Sequence, residues 1–266
     1  MNDNISFLLV EPFLGGNIGA SARAIKNMGF SRLELINPNQ HLSDEAYAFA
    51  HGATDVLESA VIHTSFDQAI SDKSIVVAVT RRLGKTKGMI FPIKEGTKKI
   101  ADFAATNKVV IVFGREDKGL LNEETDKCGF VITIPSSDAQ PSINLAQSVM
   151  LISYEIANAI SYAIHLDCEG VALTLPQGEK IPLDPLKQIP HDYQTTLALA
   201  TQTKLNELYT HIKETLKLLD YGMRGSEDLE GDIMRNISHL IGRYGLTDWE
   251  VRMLHGLCGR IGRKIH

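Results

Sequence analysis

Gly114, Arg115, Glu116 and Gly119 follow directly on the apolar run Val109–Phe113, and Ser142, Ile143 and Asn144 follow on a second run at 130–134, after Pro135 and Pro141. The glycines allow close backbone approach to a ligand, and Arg115 and Glu116 bring both signs of charge. Ser142 and Asn144 set short hydrogen-bonding groups beside the free amide donors of a helix N-terminus, with Ser142 expected as its N-cap. Such groups hold a polar ligand and stabilise charge that develops on it. A third segment, 7–29, reads as a strand, a Gly-rich turn at Gly15, Gly16 and Gly19, and a helix that carries Asn17 and Arg23 and stops at Gly29.

These residues need a scaffold that brings distant segments together. Short apolar runs at 5–10, 32–36, 60–63, 74–79, 108–113 and 129–134 alternate with helical patterns near 17–28, 43–51, 65–71, 94–105 and 142–164. The alternation predicts an α/β fold, a mainly parallel sheet with helices on both faces, whose ligand site lies outside the carboxyl ends of the strands. Residues 166–192 hold Gly170, Pro176, Gly178, Pro182, Pro185 and Pro190 and read as a linker. From 193 to 266 the pattern is helical, with Leu197, Leu205, Leu208, Ile212, Leu216 and Leu219 at three- and four-residue intervals, followed by helices at 229–243 and 247–263. The expected division is a first domain at 1–165, the linker, and a small all-helical domain at 193–266.

Asn17-Ile18-Gly19 with Arg23 and Gly29, Phe113-Gly114-Arg115-Glu116 with Gly119-Leu120, and Ser142-Ile143-Asn144-Leu145-Ala146 occur in that order. Together they resemble the three motifs of the SPOUT superfamily of S-adenosylmethionine-dependent RNA methyltransferases. The similarity is closest to the branch that methylates the ribose 2′-hydroxyl of tRNA, at a cytidine or uridine in anticodon-loop position 32. It covers residues 5 to about 160. It implies a C-terminal trefoil knot in the first domain, S-adenosylmethionine as cofactor, tRNA as partner and a homodimer. It also implies cofactor contacts at Thr80, Arg81, Arg82, Gly114, Ile134, Ser142, Ile143 and Asn144, and catalytic roles for Asn17, Arg23, Glu116 and Ser142. In that reading Arg23 stands beside the ribose, and Glu116 orients Arg23 or Arg115. A guanidinium stays protonated far above neutral pH, so electrostatic stabilisation suits Arg23 better than proton abstraction. Ribose methylation of ribosomal RNA, or RNA binding without turnover, are the alternatives.

Other classes fit poorly. Gly84-Lys85-Thr86 ends like a phosphate-binding P-loop, but Val79 stands where that loop needs its first glycine. Gly15-Gly16-Asn17-Ile18-Gly19 does not give the dinucleotide-binding glycine spacing. The apolar stretch 143–164 is interrupted by Asn144, Gln147, Glu155 and Asn158, which points to a core or interface helix rather than a bilayer span. The first residues lack a basic leader, so a cytoplasmic protein is expected. Cys128, Cys168 and Cys258 are too widely spaced for a metal cluster and odd in number, so reduced thiols and no metal are expected. The net charge of −5 conceals two basic clusters. Arg81, Arg82, Lys85, Lys87, Lys94, Lys98 and Lys99 are answered within their span only by Glu95, and Arg252, Arg260, Arg263 and Lys264 close the chain with no acid among them.

Overall fold

The computed structural model describes residues 2–81, 89–168, 173–174, 180–181, 198–221, 223–224 and 227–265. Arg82, Lys85, Lys87 and Leu197, and nearly all of 166–192 beyond the helix end at Cys168, lie outside the described residues. Seven strands form one sheet: β1 Ile5–Val10, β2 Leu33–Ile36, β3 Val61–His63, β4 Ile75–Val79, β5 Ile90–Pro92, β6 Val109–Phe113 and β7 Phe130–Thr133. The spatial order is β3-β2-β1-β6-β4-β7-β5 and every pairing is parallel.

The alternation of side chains along each strand sorts the core into two layers. Ile5, Phe7 and Leu9 of β1 and Ile111 and Phe113 of β6 face one side, with Ile18, Ile25, Phe103 and Ile152 from the covering helices. Leu8 and Val10, with Val110 and Val112, face the other, against Ile70, Leu120 and Cys128. Burial on both faces explains why β1 and β6 are continuous apolar runs. The first layer is covered by α1 Gly15–Asn27, α5 Ile93–Ala104 and α7 Leu145–Cys168. The shorter helices are α2 Asp44–Phe49, α3 Thr54–Glu58, α4 Phe66–Ile70 and α6 Asn122–Asp126.

The glycines of the third segment are inside α1 rather than in a turn before it. A Cβ at Gly19 would overlap the Ala46 carbonyl, so α1 and α2 touch backbone to backbone, and these glycines serve packing instead of a ligand.

α7 begins at Leu145, not at 142. Asn144, not Ser142, is its cap: the Asn144 side-chain oxygen accepts the Gln147 amide at 3.3 Å and its carbonyl accepts the Ser148 amide at 2.9 Å.

Three helices form the C-terminal part, α8 Gln202–Leu218, α9 Leu229–Tyr244 and α10 Asp248–Ile265, around Leu205, Leu208, Ile241 and Val251. A Thr247–Glu250 capping box starts α10: the Thr247 amide donates to Glu250 at 2.7 Å and the Glu250 amide to Thr247 Oγ1 at 3.3 Å. This part docks on the residues that precede the strands. The Leu199 amide donates to Asn107 Oδ1 at 2.7 Å, the Gln202 amide to the Lys73 carbonyl at 2.8 Å, and Gly242 meets Gly129 backbone to backbone. Because all strands run the same way, the helices sit at the opposite end of the sheet from the strands' carboxyl ends, about 17 Å away at 3.3 Å per residue.

Candidate active site

A cleft of about 890 Å³ opens at the carboxyl ends of β4, β6 and β7. Thr80 and Arg81 follow β4, the turn from Gly114 to Gly119 follows β6, and Ile134 to Asn144 follow β7 into α7. Leu14 and Asn17 close one side from the start of α1. Thr80, Arg81, Gly114, Ile134, Ser142, Ile143 and Asn144 all line this space, as do Asn17 and Glu116. Segments far apart in sequence converge because each follows a parallel strand of the same sheet.

The turn after β6 is shaped by its own backbone. Arg115 and Gly119 exchange amide-carbonyl hydrogen bonds at 3.2 and 2.9 Å, and Gly119 adopts a φ of 67°. A Cβ at Gly114 would overlap the Gly119 carbonyl carbon and the Leu120 nitrogen. Gly114 is therefore required by the folded-back turn itself.

Glu116 reaches across to α1, which lacks a side-chain cap of its own. Its carboxylate accepts the amides of Phe13, at 3.2 and 3.1 Å, and of Leu14, at 3.2 Å, and accepts Asn17 Nδ2 at 3.1 Å. A carboxylate at the amide-rich end of a helix satisfies donors that water would otherwise take, and it meets the positive end of the helix dipole. Asn144 Nδ2 then donates to Asn17 Oδ1 at 2.9 Å. The result is one chain of hydrogen bonds, from the Gln147 amide through Asn144 and Asn17 to Glu116, which joins all three motif segments.

The expected orientation of Arg115 or Arg23 by Glu116 does not occur. Arg115 is held instead by Glu11, Nε to Oε2 at 2.6 Å, and by a two-pronged pair with Glu124 at 3.0 and 2.9 Å. These bonds raise the Arg115 pKa, the Glu11 hydrogen bond most of all, so its charge is fixed. The same bond, as the largest cause, holds the Glu11 carboxyl below its ordinary value. Arg81, which lines the cleft, pairs through Nη2 with the exposed Asp138 at 2.8 Å.

Arg23 does not line the cleft and is exposed. Helix geometry gives the reason. Six residues past Asn17, at 100° each, Arg23 points about 120° away from it and about 9 Å further along α1. Arg82, the remaining expected contact, lies outside the described residues.

The model of the SpoU rRNA Methylase family matches residues 4–154, more than half of the chain and every strand of the large sheet. The chain belongs to the SpoU rRNA Methylase family. Among curated relatives, the tRNA (cytidine/uridine-2′-O-)-methyltransferase TrmJ of Escherichia coli K12 is 33% identical over 262 residues, covering 98% of this chain and 96% of the relative. The protein of the same name from Pectobacterium atrosepticum is 32% identical over 266 residues, covering 100% and 99%. Among solved structures, TrmJ from Z. mobilis ZM4 superposes with a TM-score of 0.70 at 25% identity, covering 97% of this chain and 98% of that one. The similarity to these SpoU relatives runs through the C-terminal helices as well as the sheet.

Several residues that shape the site escape a motif reading. Glu11 and Glu124 anchor Arg115, yet each is an ordinary acid in sequence. Glu124 alone carries a local signal, since it also accepts the Leu121 amide three residues earlier, as a helix-start acid does. Asp117, Thr133 and Ser148 line the cleft through position alone.

Proposed function

We propose that this protein transfers the methyl group of S-adenosylmethionine to the ribose 2′-hydroxyl of a tRNA nucleotide. The observation that carries the reading is the hydrogen-bonded chain Glu116–Asn17–Asn144 at the cleft, in a SpoU family member. Full-length similarity to proteins named tRNA (cytidine/uridine-2′-O-)-methyltransferases favours tRNA over ribosomal RNA. Cytidine or uridine 32 of the anticodon loop is the target that the motif resemblance implies. The trefoil knot, the homodimer, the cytoplasmic location and the division at 1–165, 166–192 and 193–266 belong to the same reading.

The cleft suits such a donor in size and lining, combining apolar walls at Val79, Ile134, Ile143 and Leu145 with backbone groups at three strand ends and the carboxylates of Glu116 and Asp117. Backbone around Gly114, Ile134 and Ile143, with Thr80 and Arg81, would hold the adenosine and amino-acid parts, and Ser142 and Asn144 would border the acceptor. When bound, the donor supplies an electrophilic methyl carbon on a positively charged sulfur. The chain's own work is to align that carbon with the ribose oxygen, which supplies much of the acceleration. Asn17, locked by Glu116 and Asn144, presents a fixed dipole at the ribose. In a homodimer, Arg23 reaches the ribose of the partner's cleft, since it cannot reach its own, and there stabilises the developing alkoxide.

The test is transfer of labelled methyl from S-adenosylmethionine to unmodified total tRNA and to ribosomal RNA, with mass mapping of the product nucleoside. A 2′-O-methylated pyrimidine in the anticodon loop is expected. Transfer to ribosomal RNA alone, or to neither, overturns the tRNA reading.

A further inference from the structure

The outer face of α10 carries the second of the two basic clusters, interleaved with exposed apolar side chains. Trp249, Met253 and Leu257 are 64%, 51% and 55% exposed, and Arg252, Arg260, Arg263 and Lys264 are exposed beside them. At 100° per residue these seven side chains, with the exposed Gly256, fall within an arc of about 140°, while Val251 and Cys258 point the other way into the bundle. The face contains no acid. The two acids of the first turn lie off the arc and are engaged: Asp248 takes Lys204 at 2.6 Å, and Glu250 takes the Thr247 amide and hydroxyl. Among the described residues, none of the four cations has an ion-pair partner.

We infer that this face of α10 is a docking surface for the RNA backbone, with the four cations taking phosphates and Trp249 stacking on a base or ribose. The inference rests on the proposed function for its choice of RNA. Charge complementarity favours a polyanion, because four cations over about 18 Å of helix have no ion-pair partner among the described residues. An exposed indole interleaved with arginines suits a nucleic acid, whose bases offer π-faces irrespective of sequence. Gly256, in the middle of the arc, has nothing within 4 Å of the position its Cβ would take, so a strand can approach the helix closely there. The face stands at the far end of the sheet from the cleft, so it grips RNA away from the modified nucleotide. It adds affinity and register and takes no part in methyl transfer.

The experiment uses the full chain carrying Arg252→Gln, Arg260→Gln and Arg263→Gln together, with circular dichroism to verify folding, and reads both binding of unmodified tRNA and transfer. The expected result is weaker tRNA binding, with a slope of log K against log salt that is shallower by about one for each phosphate no longer neutralised. A raised KM at unchanged kcat and unchanged S-adenosylmethionine affinity should accompany it. Trp249→Ala should weaken binding about tenfold and Trp249→Phe should restore most of it. Unchanged tRNA affinity and salt slope in the triple variant overturn the inference. So does a variant that instead loses sedimentation as a larger assembly or loses binding to anionic phospholipid vesicles while binding tRNA normally, which would make the face a contact for a second copy or for lipid. Direct tRNA binding is read without turnover, so absence of transfer in the wild type would count against the proposed function and leave this readout intact.

Discussion

Asn144 Nδ2 donates to Asn17 Oδ1 at 2.9 Å, a bond between residues 127 positions apart. Both amides have only one orientation open to them. Glu116 can only accept, so Asn17 must turn its NH2 to it and offer Oδ1 to Asn144; the Gln147 amide can only donate, so Asn144 must turn Oδ1 to it. The chain therefore reads the same from either end. A pair of amides fixed in this way presents a permanent dipole to the cleft without any charged group having to move.

Asn17→Asp tests this arrangement through pH. The new carboxylate would stand where Asn17 Nδ2 now lies, 3.1 Å from Glu116, and two carboxylates so close cannot both ionise freely. One keeps its proton to a higher pH when folded than when unfolded. Stability is then lost as pH rises from the unfolded carboxylate range through that raised value. Urea unfolding should show the variant weaker than wild type by about 1–3 kcal/mol at pH 8 and by clearly less at pH 4.5. An equal deficit at both pH values would contradict the geometry.

Gly114→Ala and Gly119→Ala should differ in kind. The first drives a methyl into the backbone of Gly119 and Leu120, so the turn must open, and a loss of about 1–3 kcal/mol is expected together with loss of S-adenosylmethionine binding. The second meets nothing within 4 Å, but its φ of 67° costs an L residue about 1–2 kcal/mol, with the turn's course retained. Thermal melts and calorimetric titration of the cofactor separate the two. Equal cofactor affinity in both variants would show that the turn does not shape the cleft.

The sheet was legible because burial on both faces leaves runs such as Val109–Phe113 with no competing periodicity. β5, α3 and α6 were not: α6, Asn122–Asp126, holds no apolar residue and α3 only Val56 and Leu57, so neither displays a period, and Pro92 at the end of β5 reads as a breaker although it sits on the sheet edge. The three motif segments could be located, and the side of the sheet on which they gather follows from parallel strands. What each polar group bonds to could not be read. Glu116 next to Arg115 suggested a pair in sequence, whereas the turn closed by Arg115 and Gly119 sends the two side chains apart, Glu116 to Asn17 and Arg115 to Glu11 with Glu124. The placement of Arg23 was lost for the matching reason: a motif gives its distance from Asn17 along the chain but not the turn of the helix between them.

Arg115→Gln should weaken the protein mostly above the acid range. The hydrogen bond from Arg115 holds the Glu11 carboxyl below its ordinary value, so its contribution to stability is complete above the unfolded value and is lost as pH falls through the lower folded one. Arg115→Gln removes that contribution, and the stability gap between wild type and variant should close as the pH is lowered from 7 towards 3. Arg115→Lys keeps the charge but cannot serve Glu11 and both oxygens of Glu124 in one plane, so a deficit of about 1–3 kcal/mol at pH 7 is expected there too. A lysine variant with wild-type stability would show that charge alone suffices.

Arg23→Ala offers the sharpest test of how the site is completed. In its own chain Arg23 points away from the cleft that holds Asn17, so under the proposed function it could act on the ribose only from a second copy. Arg23→Ala alone should abolish transfer and leave S-adenosylmethionine affinity unchanged. Asn17→Ala alone should also be inactive, since the opposite half of the same composite site is missing. When the two inactive proteins are unfolded, mixed in equal amounts and refolded together, half the dimers are mixed, and each contains one site with both residues intact. Activity should return to about a quarter of the wild-type level. Mixing that restores nothing, while size measurements show that mixed dimers have formed, would place Arg23 and Asn17 in the same cleft and require α1 to turn on binding RNA.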